Sequence, residues 1–129
     1  MQPFVTQSSI IFTGQTTYST GSNPRSLKVV DVNGDGSGTF STQTTYLTGT
    51  CPAEVATADV NGDGKPDIIV ANAASNNVGV LLNIGNGTFS AQTTYSTGIW
   101  PGSVVAADVN GDNKPDIIVA NSNSNNVSV

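Results

Sequence analysis

Residues 59–72 read Asp-Val-Asn-Gly-Asp-Gly-Lys-Pro-Asp-Ile-Ile-Val-Ala-Asn, and residues 108–121 repeat this stretch with one change, Asn113 in place of Gly64. The two copies begin 49 residues apart, and a second segment, Gln-Thr-Thr-Tyr, occurs at residues 43–46 and 92–95 with the same spacing. A third copy of that segment, at residues 15–18, begins only 28 residues before the second. A period of this length indicates an array in which each repeat is one supersecondary unit.

The spacings divide the 129-residue chain into a shortened unit, a full unit and a unit that ends early. In the shortened unit, residues 31–36 (Asp-Val-Asn-Gly-Asp-Gly) run almost directly into Gly-Thr-Phe at residues 38–40, which matches residues 87–89. We therefore predict a single repeat array over residues 1–129, with units at about 10–49, 50–98 and 99–129.

Four short strands are predicted in the full unit, at Glu54–Val60, Asp67–Ala71, Val78–Leu82 and Gln92–Thr97. The middle two are apolar without alternation, which predicts burial on both faces. The last alternates Thr and Tyr with polar neighbours, as a half-exposed strand does. Four strands in each repeat predict an all-β fold, a partial β-propeller of four-stranded antiparallel blades.

The charge pattern points to a metal rather than to a polyanion. The net charge is −5, there is no His, and Cys51 is the single cysteine. Eight of the nine acidic residues lie inside the repeated loop, and only Glu54 lies outside it. An acidic chain without a basic stripe is a poor candidate for nucleic acid or an anionic membrane surface, and no apolar run is long enough to insert into a membrane.

The loop Asp-x-Asn-Gly-Asp-Gly-x-x-Asp places side-chain oxygens at positions 1, 3, 5 and 9, and its seventh carbonyl can point inward. Ca²⁺ is a hard cation that takes six to eight oxygen ligands, and closely packed carboxylates repel one another without a cation. We expect Ca²⁺ rather than Mg²⁺, which prefers fewer carboxylates and retained waters. The predicted ligands are Asp59, Asn61, Asp63, the Lys65 carbonyl and Asp67 in the full unit, and Asp108, Asn110, Asp112, the Lys114 carbonyl and Asp116 in the last.

Two features of the sequence restrict the predicted calcium sites. The first loop keeps Asp31, Asn33 and Asp35 but has Thr39 at position 9, so its site is incomplete. The loops also lack the Glu that an EF-hand has at position 12, and Pro66 and Pro115 precede an apolar run rather than an amphipathic helix. The pattern therefore favours a loop between two strands. The alternative is that Asn-Gly-Asp-Gly is only a turn.

An enzyme is not expected. Without His a Ser-His triad is impossible, and a glycosidase needs two free carboxylates, whereas eight of the nine acids belong to the loops. The functional alternatives are a structural or adhesion module and a lectin-like carbohydrate-binding module with Trp100, Tyr18, Tyr46 and Tyr95 as candidate contacts. For Trp100, burial between repeats is the stronger expectation.

The Asp loop, the Ile-Ile-Val-Ala-Asn run and the Gly-Asn-Gly-Thr-Phe segment resemble FG-GAP repeats, also described as VCBS-type repeats, which build integrin α-like β-propellers. The resemblance covers nearly the whole chain from Phe12. It implies a calcium-binding loop between two strands of a blade, an extracellular or cell-surface location, and a protein or glycan ligand. No signal peptide is visible in the sequence.

A closed propeller needs about four to eight blades, and this chain supplies fewer than three. The chain would then be a fragment of a longer propeller, a homo-oligomer that closes by association, or an open stack. The last unit lacks its fourth strand. A segment of that type, around Phe12–Ser19, is a candidate to supply it within the chain or from a neighbour.

Overall fold

The computed structural model describes residues 44–129, which form antiparallel β-sheets joined by tight loops. One short 3₁₀ turn, Ala73–Ser75, is present. The strands are β1 (Pro52–Ala58), β2 (Asp67–Asn72), β3 (Asn77–Leu81), β4 (Asn83–Gly85), β5 (Thr88–Phe89), β6 (Thr93–Ser96), β7 (Pro101–Ala107), β8 (Asp116–Asn121) and β9 (Asn126–Ser128).

The first sheet contains β1, β2, β3 and β6 in that order. Its centre is β2, where every residue except Ile68 is buried, and β3 is buried from Val78 onward. This confirms the prediction that the unalternating apolar strands are covered on both faces. The turn between β2 and β3 relies on Asn76, which adopts φ 52° and so takes the left-handed conformation that Asn tolerates better than most residues.

The second sheet, β7-β8-β9, repeats the first in register. Ala107 pairs with Asp116 as Ala58 pairs with Asp67, 49 residues earlier. Each first strand also has an irregularity near its start, between Pro52 and Glu54 in β1 and at the corresponding place in β7. The sequence repeat is therefore a structural repeat.

A small hairpin of β4 and β5 lies in the chain between β3 and β6 of the first sheet, where the sequence patterns predicted only a turn. Its tip is formed by Gly85, Asn86 and Gly87, all with positive φ. The hairpin turns Phe89 inward, where it joins Val70 and Leu81 in a buried cluster with Tyr46 packed against it. The Tyr46 and Phe89 rings meet edge to face with centroids 5.6 Å apart.

The main core lies between the two sheets. Apolar residues of β1, β2 and β3 pack against Val104 of β7 and Val119 of β8. A polar contact crosses the same boundary, because the Val104 backbone N–H donates to Glu54 Oε2 at 3.0 Å. The sheets therefore stack face to face as neighbouring repeats.

The all-β, antiparallel prediction is confirmed, but two details of it were wrong. β6 is exposed at all four residues rather than half-exposed, because it is the edge strand of its sheet and no sheet within residues 44–129 covers it. Trp100 is 44% exposed and has φ 58°, so it is not buried between the sheets.

The predicted strand at Phe12–Ser19 and the loop with Asp31, Asn33, Asp35 and Thr39 lie outside the described residues, as does Tyr18. In the described part of the chain, no helix has the length and apolarity needed to cross a bilayer.

Candidate functional site

The two complete Asp loops connect equivalent strands, β1 to β2 and β7 to β8. Their backbones have the same shape, because positive φ values occur at Gly62 and Gly64 in one loop and at Gly111 and Asn113 in the other. Asn113 reaches φ 64° where Gly64 has 81°. The replacement of glycine by Asn at this position is thus accommodated, as the sequence predicted.

The first Asp of each loop acts as an acceptor for the loop's own backbone. Asp59 Oδ1 accepts from the N–H of Gly62 at 2.7 Å, and Asp59 Oδ2 accepts from that of Gly64 at 2.7 Å. Asp108 accepts in the same way from Gly111 and Asn113, at 2.7 and 2.8 Å. Each carboxylate oxygen has more than one lone pair, so these bonds orient the group without saturating it.

Positions 3 and 5 repeat the same pattern of side-chain to backbone bonds. Asn61 Oδ1 accepts from the Asp63 N–H at 3.0 Å, and Asp63 Oδ1 accepts from the Lys65 N–H at 2.9 Å. The other oxygen, Asp63 Oδ2, is 3.0 Å from the Lys65 ammonium in an ion pair. These side chains are at the surface and are therefore accessible to a cation from solvent.

The Asp at position 9 is held most firmly. Asp67 is fully buried, and its two oxygens accept from the backbone N–H groups of Val60 at 2.9 Å and Asn83 at 2.8 Å. Asp67 therefore links the first Asp loop to the β4–β5 hairpin. Asp116 has the counterpart of the Val60 bond, since its Oδ2 accepts from the Val109 N–H at 3.0 Å, but Asp116 is only half-buried.

In the second loop one side chain lies between two carboxylates. Asn110 Nδ2 is 3.4 Å from Asp112 Oδ2 and 3.5 Å from Asp116 Oδ1. The partial positive charge of this amide therefore faces negative oxygens at positions 5 and 9 of the loop, while Asn110 Oδ1 accepts from the Asp112 N–H at 2.9 Å.

The electrostatics of the loops favour ionised carboxylates. The pKa of Asp63 is lowered from its ordinary value, first by the hydrogen bond from the Lys65 side chain and next by that from the Lys65 backbone. The pKa of Asp108 is lowered chiefly by the backbone N–H groups of Gly111 and Asn113. Both groups therefore carry their negative charge at neutral pH.

The ten predicted site residues lie in two separate loops, five in each. Within residues 44–129 it does not gather three or more His, Cys, Asp or Glu side chains into one group placed to hold a metal ion. The oxygen donors themselves are of the kind that fits Ca²⁺.

Three asparagines are buried although the sequence analysis did not predict it: Asn83, which contacts the first Asp loop, and Asn72 and Asn121, which lie at the opposite ends of β2 and β8. Asn83 donates to Asp67 from its backbone and to the Pro66 carbonyl from its side chain at 3.1 Å, while Asn72 Oδ1 accepts from the Gly49 N–H at 3.1 Å. The sequence indicated that two of them have equivalent positions, because Asn72 and Asn121 each end the apolar run in one copy of the repeat.

A groove of about 570 Å³ lies between the sheets, beside the loops. Asn61 of the first loop and Asp116 of the second both line it, together with Tyr95, Ile117 and Val119. It combines an aromatic ring, aliphatic side chains and polar oxygens in one concave surface.

An antiparallel repeat array with an Asp loop between the first two strands of each sheet defines a class of β-repeat modules, and comparison with known families agrees. Residues 33–70 and 59–119 both match the model of the FG-GAP-like repeat. The chain belongs to the FG-GAP-like repeat family. Neither the curated proteins nor the solved structures contain a match to this chain.

Proposed function

We propose that this chain is a non-enzymatic structural or adhesion module whose two complete Asp loops bind Ca²⁺. One observation supports the proposal: both loops have positive φ at the same two positions, and in both the side-chain oxygens at positions 1, 3 and 5 accept from the backbone of the loop itself. A plain turn needs the glycines and asparagines, but it does not need an acid at all of positions 1, 5 and 9. Membership in the FG-GAP-like repeat family supports the structural or interaction role.

In this proposal Ca²⁺ is held by Asp59, Asn61, Asp63, the Lys65 carbonyl and Asp67, and a second ion is held by the equivalent five residues. The cation would displace the Lys65 ammonium from Asp63, which costs little because that ion pair is at the surface. Its contribution is to neutralise the carboxylates and to stiffen the connection between β1 and β2. The proposed location is extracellular, with a protein or glycan as the ligand of the module and with the sheets arranged as propeller blades.

A calorimetric Ca²⁺ titration of the chelator-stripped full chain tests the proposal, with Mg²⁺ as the comparison. Two Ca²⁺ ions per chain are expected, with little heat from Mg²⁺. Asp59→Asn and Asp108→Asn, each of which keeps the size of the side chain, should remove one site apiece. Saturation at 100 times Kd should raise the free energy of unfolding by about 2.7 kcal/mol for each site. A folded chain that takes up no Ca²⁺ would overturn the metal assignment.

A second candidate is carbohydrate binding in the groove. The observation in its favour is that Tyr95, 55% exposed, lines a cavity of about 570 Å³ that also contains Asn61 and Asp116. Pockets of a few hundred Å³ with a few polar groups are the usual size for small ligands. A glycan array probed with calcium-loaded chain, with Tyr95→Ala as the matched variant, tests it; signals that survive the variant would exclude the groove.

A further inference from the structure

The connection between β6 and β7 displays an aromatic side chain on a backbone that does not favour it. Trp100 has φ 58° and is 44% exposed, and Ile99 before it is 56% exposed. The left-handed conformation is an outlier for a bulky residue, because its Cβ crowds the following carbonyl. A large ring normally offsets such a cost by burial, and Trp100 is not buried between the sheets. A residue kept in a costly conformation that does not serve packing indicates a function.

Main-chain contacts hold Trp100 in place without using its side chain. Its N–H donates to Asn76 Oδ1 at 2.8 Å, and its carbonyl accepts from the Ser122 N–H at 3.0 Å. The Ile99 carbonyl accepts from the Asn123 N–H at 3.1 Å. The turn between β2 and β3 and the turn between β8 and β9 therefore both fix this connection. The indole is presented to solvent from a backbone that both sheets hold.

The repeat shows that this backbone does not require a Trp. Residues 21–24, 49–52 and 98–101 all read Gly-x-x-Pro, with Ser-Asn, Thr-Cys and Ile-Trp as the middle pairs. Cys51 has φ 53°, and its carbonyl accepts from the Ala73 N–H at 3.0 Å. The backbone of the connection is thus the same with Thr-Cys as with Ile-Trp, so the ring is not there to form the turn.

Exposure belongs to this position of the repeat rather than to the surroundings of one copy. Cys51 precedes β1, whose sheet packs against the sheet that follows it in the chain. Trp100 precedes β7, whose sheet packs against the sheet that comes before it. Both side chains are exposed. A following sheet therefore does not cover this position, and neither does a preceding one.

The described residues that build the surface around Trp100 are all uncharged. They are the connections at residues 49–51 and 98–100 and the turns at residues 73–76 and 122–125, which together we term the turn end. Every charged residue that the structure describes lies in an Asp loop, with the exception of Glu54. The turn end instead exposes the amides and hydroxyls of residues such as Asn76, Ser122 and Asn123. Such groups both donate and accept hydrogen bonds.

We propose that the turn end binds a neutral carbohydrate, with a sugar ring stacked on the Trp100 indole. The sugar hydroxyls are hydrogen-bonded by the side chains of Asn76, Ser122 and Asn123. Carbohydrate binding here rests on the interaction role proposed above, and it assigns that role a ligand and a surface. The C–H face of a pyranose fits an aromatic ring, and its hydroxyls need neutral donors and acceptors. A net charge of −5 disfavours an anionic glycan.

The size of the apolar surface favours a sugar over a protein as the ligand. A stable protein–protein interface involves roughly 20–30 residues a side around a hydrophobic core. The turn end offers one aromatic and one aliphatic side chain, Trp100 and Ile99, among small polar groups, which matches a few sugar units. The groove beside the Asp loops is a different surface, because none of its lining residues lies in the turn end.

The turn end is separated from the Asp loops by the length of a strand. β7 begins directly after Trp100 and ends directly before the second Asp loop. A strand of its seven residues spans roughly 23 Å. A cation in that loop is too distant to contact a sugar on Trp100, so carbohydrate binding should persist in the calcium-free chain.

A glycan array probed with the full chain, once with Ca²⁺ and once with a chelator, tests the proposal. Neutral glycans should bind under both conditions, and sialylated or sulfated glycans should not. Trp100 is the single Trp of the chain, so its fluorescence reports on the site directly. Titration with a neutral glycan that binds on the array should change this emission saturably. If no neutral glycan both binds and changes the Trp100 emission, the proposal is overturned.

Trp100→Asn separates binding from folding, because it removes the ring and Asn tolerates the left-handed backbone. It should weaken binding of the same glycan about tenfold or more without lowering the Tm. Tyr95→Asn is the matched control: it removes an exposed aromatic ring of the groove and should leave binding unchanged. Binding lost in Tyr95→Asn but kept in Trp100→Asn would place the sugar in the groove and overturn the proposal. A lower Tm for Trp100→Asn would also overturn it, since the ring would then serve packing.

Calcium titration of the same samples distinguishes this proposal from the metal assignment. Two Ca²⁺ ions per chain without a response of Trp100 to any neutral glycan would overturn carbohydrate binding at the turn end and leave the metal assignment intact. A saturable Trp100 response in a folded chain that takes up no Ca²⁺ would support the carbohydrate site and overturn the metal assignment alone.

Discussion

Asp67 and Asp116 occupy the same position of the repeat but have different surroundings. Asp67 is fully buried and accepts from the backbone on both oxygens, whereas Asp116 is half-buried and accepts from the backbone through Oδ2 alone. A buried acceptor that loses its charge and gains a donor leaves N–H groups unsatisfied, which costs about 1–3 kcal/mol. The same residue type in the same motif therefore has a larger structural role in the first loop than in the second.

Asp67→Asn should lower the free energy of unfolding of the calcium-free chain by about 1–3 kcal/mol. Asp116→Asn is the matched control and should cost less, since its site is partly solvated. Urea unfolding in the presence of a chelator measures both. Equal losses for the two variants would show that the bonds from Val60 and Asn83 are not what stabilises the first loop.

Gly64→Ala should destabilise the chain by about 1–2 kcal/mol, because φ is +81° at this position and Ala carries a Cβ. No atom lies within 4 Å of the place that this Cβ would occupy, so the whole cost is conformational. Gly64→Asn, the residue that the second loop uses at Asn113, should cost less. Thermal unfolding of the two variants side by side measures the difference, and an Asn variant no better than the Ala variant would contradict this account.

Lys65→Met should raise the pKa of Asp63 toward its ordinary value of 3.8, because the largest cause of the lowered value is removed. A lowered pKa in the folded state stabilises the fold above the unfolded pKa, and that contribution is lost as the pH falls through the folded pKa. Carboxylate NMR titration of the calcium-free chain measures the shift. Lys114→Met removes the same charge from the other loop and should leave Asp63 unchanged.

At the scale of elements, the packing of β3 against the Gln92 side chain, which directly precedes β6, requires a glycine at position 79. A Cβ at Gly79 would overlap the side chain of Gln92, whose Oε1 accepts from Asn72 Nδ2 at 3.2 Å. Because Gln92 is flexible it can move aside, but Asn72 then loses an acceptor. The second sheet shows the alternative solution, in which Ser128 itself supplies the acceptor to Asn121.

Gly79→Ala should therefore cost about 1 kcal/mol in the free energy of unfolding, the typical value of one hydrogen bond. Gly79→Ser should cost less, because its hydroxyl takes the place of the Gln92 oxygen. Equilibrium unfolding compares the two, and the Asn72 side-chain amide signals in NMR report whether the new hydroxyl is engaged. A serine variant less stable than the alanine variant would be evidence against the exchange.

At the scale of the whole molecule, stability comes from stacking one sheet on the next. Val78 is buried against the second sheet, while Val127, its counterpart, is 60% exposed. Equivalent residues thus contribute according to whether a neighbouring sheet covers them. This matches the behaviour of repeat proteins, in which each repeat is stabilised through its contacts with the adjacent repeat.

Val78→Ala should lower the free energy of unfolding by about 2 kcal/mol, from the lost burial and the cavity left behind. Val127→Ala makes the same chemical change and should cost under about 0.5 kcal/mol in a dilute, monomeric sample. Chemical unfolding at low protein concentration measures both. Equal losses at the two positions would contradict this account.

The repeat made much of the local structure predictable. Identical residues at a spacing of 49 require equivalent elements, and the unalternating Ile-Ile-Val run predicted the buried β2 correctly. The shape of the Asp loop followed from where glycine and asparagine stand, since only these residues enter the left-handed region readily. The hairpin of β4 and β5 was missed because its strands are only three and two residues long, too short for a periodic signal.

The sequence by itself therefore determined the repeat, the longer strands and the backbone shape of each Asp loop, because these depend on interactions between residues close together in the chain. Only the tertiary structure decided that Asp67 is buried and Asp116 is not, and that Trp100 and β6 are exposed. It also decided that Val78 is covered while Val127 is open. These properties depend on which sheet lies against each residue, and two copies of one sequence can differ in that respect because their neighbours differ.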